Sequence, residues 1–118
     1  DVTELDNHRI MTFGGIAPPY LVGVHWLTTL GRESRNPRLP AFTVSNVTAL
    51  KRAVERGLGI AVLPDYLVEP DSGLVQVLSN VEMASLDSYL AYPEEMKTVA
   101  RVQVFRDFLV AKAQRWTH

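Results

Sequence analysis

The chain alternates short apolar runs with segments of helical periodicity, and glycine or proline stands at most of the boundaries. This alternation predicts an α/β domain with a mostly parallel sheet and right-handed crossovers. The run at 59–63 is apolar throughout, as in a strand that is buried on both faces of a parallel sheet. The predicted strands cover residues 9–13, 39–44, 59–63, 74–78 and 88–92.

Helical spacing of apolar residues predicts the elements between these strands. Either Ser45 or Asn46 caps the helix that follows the second strand, because both side chains can accept a hydrogen bond from a free backbone N–H. Gly31 and Gly57 are predicted to end the first two long helices. The predicted helices cover residues 3–6, 18–30, 47–56, 65–68 and 98–115, and the last has an apolar stripe of Val102, Phe105, Leu109, Ala113 and Trp116.

Composition excludes several functional classes. The 118 residues are 47% apolar and 21% charged, which is typical of one ordinary globular domain. A net charge of -1 argues against nucleic-acid binding by this segment, because displacing phosphate counterions requires an excess of cations. No apolar run approaches the roughly 20 residues that a membrane helix requires. The chain has no cysteine, so disulfides and thiol catalysis are excluded.

The residues that most often carry chemistry are not arranged for it in this sequence. His8, His25 and His118 lack the spacing of metal ligands, so no metal site is predicted. No serine stands in a nucleophile-elbow sequence, and no acid–base pair is apparent, so no catalytic residue is predicted. The segment Gly57-x-Gly59 follows a helix, and we interpret it as a helix stop followed by close packing of that helix against a strand.

Two segments are placed where α/β proteins bind ligands. Residues 15–20 follow the first predicted strand, and residues 45–48 follow the second. Loops at the carboxyl ends of parallel strands form crevices, and helices that begin there offer free N–H groups to anions. The alternative is that Ser45 only caps its helix and Tyr20 only packs, and the pattern alone leaves both interpretations open.

Residues 44–68 resemble the C-terminal part of LysR-type transcriptional regulators. The likeness lies in a capped helix beginning Val44-Ser45-Asn46, followed by Gly57-Leu58-Gly59-Ile60-Ala61 and by Leu63-Pro64. Further similar segments occur in the family's order, so that the resemblance covers nearly the whole chain. These segments are residues 5–13, 74–78, 89–94 and 102–109.

The resemblance implies an effector-binding module like a type 2 periplasmic binding protein, with two α/β lobes and a cleft between them. Residues 1–79 would form the second lobe, a three-layer sandwich with a mostly parallel sheet. Residues 80–118 would form the crossover and the strand and helix that return to an incomplete first lobe. The winged helix-turn-helix domain and most of the first lobe would then lie outside this chain, which would be a fragment.

By the same resemblance, the chain is a cytoplasmic effector-sensing domain that binds a small organic anion, forms homo-oligomers, and needs neither catalysis nor a cofactor. DNA would be contacted only through the domain outside this chain. The implied effector-binding residues are Gly15, Pro18, Pro19, Tyr20, Ser45 and Asn46.

Two alternatives share this fold and are therefore not separated by it: a lobe of a periplasmic solute-binding protein for transport, and an enzyme. If most of the first lobe is absent, the last helix exposes its apolar stripe. We therefore expect the chain to self-associate through this helix or to dock it onto its own sheet.

Overall fold

The structure, a computed structural model, describes residues 1–15, 25–83, 85 and 87–116, and it divides into two compact units at residues 1–84 and 85–118. The first unit contains strands β1 (Met11–Phe13) and β2 (Phe42–Val44) and helices α1 (Trp26–Thr29) and α2 (Val47–Glu55). It also contains 3₁₀ helices at Val2–Asn7 and Asp65–Leu67. The second unit contains helix α3 (Ala100–Ala113), with 3₁₀ helices at Glu94–Met96 and Gln114–Trp116.

Strands β1 and β2 pair in parallel, with Met11 opposite Phe42 and Phe13 opposite Val44. On the other side of β1, Ile10 forms an isolated parallel bridge with Ile60. The Met11 amide donates to the Ile60 carbonyl oxygen over 2.8 Å. The first strand therefore lies between two parallel neighbours, and the predicted parallel arrangement is confirmed here. Both strands are shorter than the predicted 9–13 and 39–44.

The core of the first unit lies on both faces of this sheet. Successive residues of a strand point to opposite faces, so Ile10 and Met11 enter different clusters. Ile10 packs with Leu5 of the first 3₁₀ helix and with Leu27 of α1. Met11 packs with Leu50 of α2. Helical segments thus cover both faces of the strand, which explains why Ile10, Met11 and Thr12 are almost fully buried.

The predicted strand at 59–63 forms no ladder beyond the bridge at Ile60, so that prediction is wrong in its hydrogen bonding. Its packing nevertheless alternates as a strand would. Ile60 and Val62 pack against the first cluster, whereas Ala61 and Leu63 pack against the second. The continuous apolar run therefore reflects burial on two faces, and only its first part is held by hydrogen bonds to a neighbouring strand.

The predicted strands at 74–78 and 88–92 are also wrong, because neither segment forms a ladder in the structure. Leu78 has a φ of 57°, a left-handed conformation that a strand does not contain. Alternating apolar residues favour extended backbone, but a strand also requires a partner chain segment beside it. The sequence pattern shows the apolar alternation, but it does not show whether a partner segment lies beside it.

The helices agree better with the sequence. The capped 3₁₀ helix at Val2–Asn7 and the helix α2 confirm their predictions, and Gly31 and Gly57 both have the positive φ expected of helix stops, 69° and 72°. Helix α3 occupies the centre of the predicted 98–115 segment. Helix α1 begins at Trp26, and the predicted start of that helix near Pro18 lies outside the described residues.

Gly59 is required by a different contact from the one the sequence suggests. A Cβ atom at this position would overlap the backbone carbonyl oxygen of Arg9, which also accepts a hydrogen bond from the Ile60 amide over 2.9 Å. The close approach is therefore between two neighbouring backbone segments of the sheet, rather than between helix and strand. A backbone atom cannot move aside without breaking the bridge, so this position excludes any side chain.

Arg38 is a buried charged residue of the first unit, although it stands in a charged stretch between the predicted helix at 18–30 and the predicted strand at 39–44. Its side chain is 6% exposed, and its Nε donates to Asp6 Oδ1 over 2.6 Å. Its Nη1 donates to the carbonyl oxygens of Leu27 and Leu30 at the C-terminal end of α1. Arg38 therefore joins the first 3₁₀ helix, α1 and the segment that leads into β2.

Asp6 receives a second cation. Arg32 Nη2 lies 3.1 Å from Asp6 Oδ2. Hydrogen bonds from Arg32 and from Arg38 lower the pKa of the Asp6 carboxyl below its ordinary value, with the charges of both guanidinium groups adding to the effect. The carboxylate form of Asp6 is therefore favoured in the folded chain, where it balances part of the charge of two arginines.

Replacing Arg38 by Met tests whether its hydrogen bonds hold the first 3₁₀ helix and α1 together. The variant keeps a long apolar stem but leaves the carbonyl oxygens of Leu27 and Leu30 without this donor, and Asp6 with Arg32 alone, so we expect the free energy of unfolding to fall by about 3 kcal/mol. The exposed Arg35 of the same loop is the matched control, and Arg35→Met should change it by less than about 0.5 kcal/mol. Urea unfolding followed by circular dichroism measures both. If the free energy of unfolding fell equally in the two variants, the hydrogen bonds of Arg38 would not be what stabilises this part of the fold.

Candidate functional site

The carboxyl ends of β1 and β2 lie side by side because the strands pair in register. Beyond the last ladder pair, the Gly14 amide donates to the Val44 carbonyl oxygen over 2.8 Å. The next residues, Gly15 and Ser45, lie just beyond the ends of the two strands. The parallel register thus brings the end of β1 and Gly15 next to the segment that starts α2.

Gly14 fits closely against the neighbouring strand at this edge. A Cβ atom on Gly14 would overlap Cγ2 of Thr43, and the Thr43 hydroxyl already shares a hydrogen bond of 3.2 Å with that of Thr12. Among the described residues, none comes within 4 Å of where a Cβ atom on Gly15 would lie, but the φ of Gly15 is 104°, a conformation that residues other than glycine rarely adopt. The two glycines therefore serve different needs: close approach in one and backbone conformation in the other.

Helix α2 begins at this edge, and Asn46 caps it. Asn46 has an extended backbone, and its Oδ1 accepts a hydrogen bond of 2.9 Å from the Ala49 amide. Of the two predicted candidates for the cap, the structure therefore selects Asn46. Ser45 is exposed beside it, so its hydroxyl is accessible from solvent.

The start of α2 is a polar, electropositive surface. The first N–H groups of a helix have no partner within the helix, and the aligned peptide dipoles add about half a positive charge there. Asn46 uses its oxygen for the cap, which leaves its NH₂ group able to donate. Together with the hydroxyls of Ser45 and Thr48, which are both exposed, these donors suit an anion such as a carboxylate.

The structure therefore brings together Gly15, Ser45 and Asn46, three of the six residues that the sequence proposes for a ligand site. Pro18, Pro19 and Tyr20 lie outside the described residues. Thr48, which belongs to the predicted segment 45–48 but is not among the six residues, adds an exposed hydroxyl in the first turn of α2. Its position two residues after the cap is the signal that identifies it.

The described residues show neither a metal-binding cluster nor a membrane-spanning helix. Within residues 1–15, 25–83, 85 and 87–116, histidine and acidic side chains form no group of three or more that could hold a metal ion. No helix in these ranges is both long enough and apolar enough to cross a membrane.

A family model for the LysR substrate binding domain matches residues 2–114. The chain belongs to the LysR substrate-binding domain family. Comparison with curated proteins and with solved structures gave no match. The match extends over nearly the whole chain, so it includes the carboxyl edge of the sheet, α2 and α3.

Membership of the LysR family has direct consequences for fold and role. These domains have an α/β fold like that of type 2 periplasmic binding proteins, and the parallel pair β1–β2 between helices is compatible with that fold. They are effector-binding domains of transcription regulators rather than enzymes. The resemblance noted in the sequence is thereby confirmed at the level of the family.

The close approach of Gly14 to Thr43 can be tested by substitution. We expect Gly14→Ala to lower the free energy of unfolding by about 1–3 kcal/mol, since the new methyl group overlaps Thr43 Cγ2. Adding Thr43→Ser removes Cγ2 and keeps the hydroxyl, so the double variant should recover much of that loss. Thermal unfolding of the two single variants and the double variant measures the coupling. Purely additive losses would contradict the contact.

Proposed function

We propose that the chain senses a small organic anion, which binds at the carboxyl edge of the β1–β2 sheet. The residues proposed to contact it are Gly15, Ser45 and Asn46, together with Pro18, Pro19 and Tyr20, which follow β1 in the sequence. The observation that carries the proposal is the parallel register, which sets the N-terminus of α2 beside the end of the first strand. An effector there meets backbone N–H groups and hydroxyls together.

The charge of the two segments supports an anionic effector. Neither residues 13–20 nor residues 44–50 include an aspartate or glutamate, so neither segment opposes a carboxylate. The positive end of α2 attracts one. A cationic effector would find no acidic partner in either segment.

The proposed mechanism is a shift between lobe arrangements without chemistry on the effector. We assign residues 1–79 to the second lobe and residues 80–118 to the crossover and the return to the first lobe. An effector that binds one arrangement of the lobes more tightly increases its population, and this changes how a cytoplasmic regulator presents its DNA-binding domains. We place DNA contact outside residues 2–114, which the effector-domain match occupies.

Two substitutions of the capping residue test the anionic site. Asp and Ser both cap helices well, so Asn46→Asp and Asn46→Ser should each preserve α2. Only the aspartate adds a negative charge where the effector carboxylate is proposed to bind. For an acid selected from a panel of small organic acids and their amides, we expect Asn46→Asp to weaken binding about tenfold or more and Asn46→Ser about twofold or less.

Isothermal titration calorimetry measures these affinities, and circular dichroism checks that both variants are folded. The proposal fails if the aspartate variant binds the acid as tightly as the serine variant. It also fails if the amides bind as tightly as the acids, since the effector is then not recognised by its charge.

We also propose that the chain forms a homo-oligomer through helix α3. No residue of α3 is buried, and Phe105 and Phe108 are 59% and 55% exposed. Of the predicted apolar stripe, Val102 and Leu109 are only partly buried, Phe105 and Ala113 are exposed, and the side chain of Trp116 lies outside the described residues. Val104 and Val110 add further exposed apolar surface, and covering it removes it from water.

A charged residue on α3 should disrupt this association. We expect the unmodified chain to be a dimer or larger by size exclusion with light scattering, and Phe105→Lys to shift it towards the monomer. Val75→Lys is the matched control, because Val75 is 83% exposed and lies in the first unit. A monomeric unmodified chain, or an equal effect of both substitutions, would contradict an interface on α3.

A further inference from the structure

The first unit has a groove at the end of the sheet opposite to the proposed effector site. Its volume is about 310 Å³. Its walls come from the segment that precedes β1 and from the segment that precedes β2, so it lies at the amino-terminal ends of both strands. The residues that line it are Leu5, Asp6, His8, Ile10, Arg32, Asn36, Pro37, Arg38 and Leu39.

One part of this groove is apolar. Leu5 and Ile10 belong to the core cluster and are almost fully buried, so they form the fixed base of the groove and leave little of their own surface open to it. Leu39 lines the groove and is 91% exposed, the largest exposed fraction among the large apolar residues that the structure describes. An apolar ligand group that contacts Leu39 would therefore remove surface that is now in water.

The other part of the groove is cationic. Arg32 and Arg38 share the single carboxylate of Asp6, which leaves one net positive charge among the three side chains. The guanidinium of Arg38 is buried and hydrogen-bonded to Asp6 and to backbone carbonyl oxygens, so its charge is fixed in place.

Arg32 has hydrogen-bonding capacity to spare. Its described contacts are Nη2 to Asp6 Oδ2 and a hydrogen bond of 3.4 Å from Nη1 to the Asn36 carbonyl oxygen. They use two of the five N–H donors of a guanidinium group. The side chain is 29% exposed, so a ligand can reach it from the groove.

We infer that this groove is a second ligand site, for a small monocarboxylate with an apolar chain. The ligand carboxylate binds the remaining donors of Arg32, where the planar guanidinium favours two parallel hydrogen bonds. The chain of the ligand lies against Leu5, Ile10 and Leu39. A cation is disfavoured by the net positive charge, and a purely polar anion leaves Leu39 uncovered.

The test is a titration of the 118-residue chain with hexanoate, hexan-1-ol and hexylamine, three probes that differ in charge and share an apolar chain. Methyl NMR signals of Leu5, Ile10 and Leu39 report on the groove, and amide signals of Gly15, Val47 and Thr48 report on the proposed effector edge. We expect hexanoate to shift the groove methyl signals and to bind at least about tenfold more tightly than either other probe.

Two arginine variants in the same loop complete the test. Arg32→Gln should weaken hexanoate binding about tenfold, whereas Arg35→Gln, which replaces an exposed arginine outside the groove, should change it by less than about twofold. The Arg32 ion pair is partly exposed, so its loss should leave the fold intact.

Three results would overturn the inference: no shift of the groove methyls, equal binding of hexanoate to both variants, or shifts confined to Gly15, Val47 and Thr48. The last would show binding at the effector edge alone. If the groove signals shift and the signals at the effector edge do not, the groove site is supported even though the proposed effector site is not.

Discussion

The parallel pairing of β1 with β2 is the constraint on which the first unit depends. It places Ile10 and Met11 between two helical layers, and it sets Gly14 so close to Thr43 that a Cβ atom on Gly14 would overlap Thr43 Cγ2. The same register determines which chain segments meet at each end of the sheet. At the carboxyl end these are the end of β1 with Gly15 and the start of α2, and at the amino-terminal end they form the groove.

Much of the helical structure follows from local sequence. Helix α2 is defined by residues within a few positions of each other: the cap at Asn46, the buried Leu50 and the stop at Gly57. The predicted strands after 59 needed partners far away in sequence, and apolar patterning does not say whether a partner is present. In the described part of the chain, Ile60 is the residue of these segments that pairs with a neighbouring strand. The segment 59–63 therefore resembles a strand in its packing, but beyond Ile60 not in its hydrogen bonds.

The candidate site also combines features that local sequence predicts with contacts between segments that are distant in sequence. Ser45 and Asn46 could be placed at a helix start from their residue types, and Gly15 after a strand, but their proximity depends on the register of β1 with β2. Nothing local marks Arg38 as buried, because its partners Asp6, Leu27 and Leu30 come from two other segments. For the same reason the groove beside Arg32 could not be predicted, since it exists only where those segments meet.

The most direct test of the effector site is hydrogen–deuterium exchange of individual amides, measured with and without a bound organic acid. In the free chain the amides of Val47 and Thr48 at the start of α2 have no helical partner and should exchange fast. We expect the bound acid to slow exchange at these two amides and at Gly15, with little change at the centre of α2, for example at Arg52. Saturating binding that leaves all three amides unprotected would contradict an anion site at the carboxyl edge of the sheet.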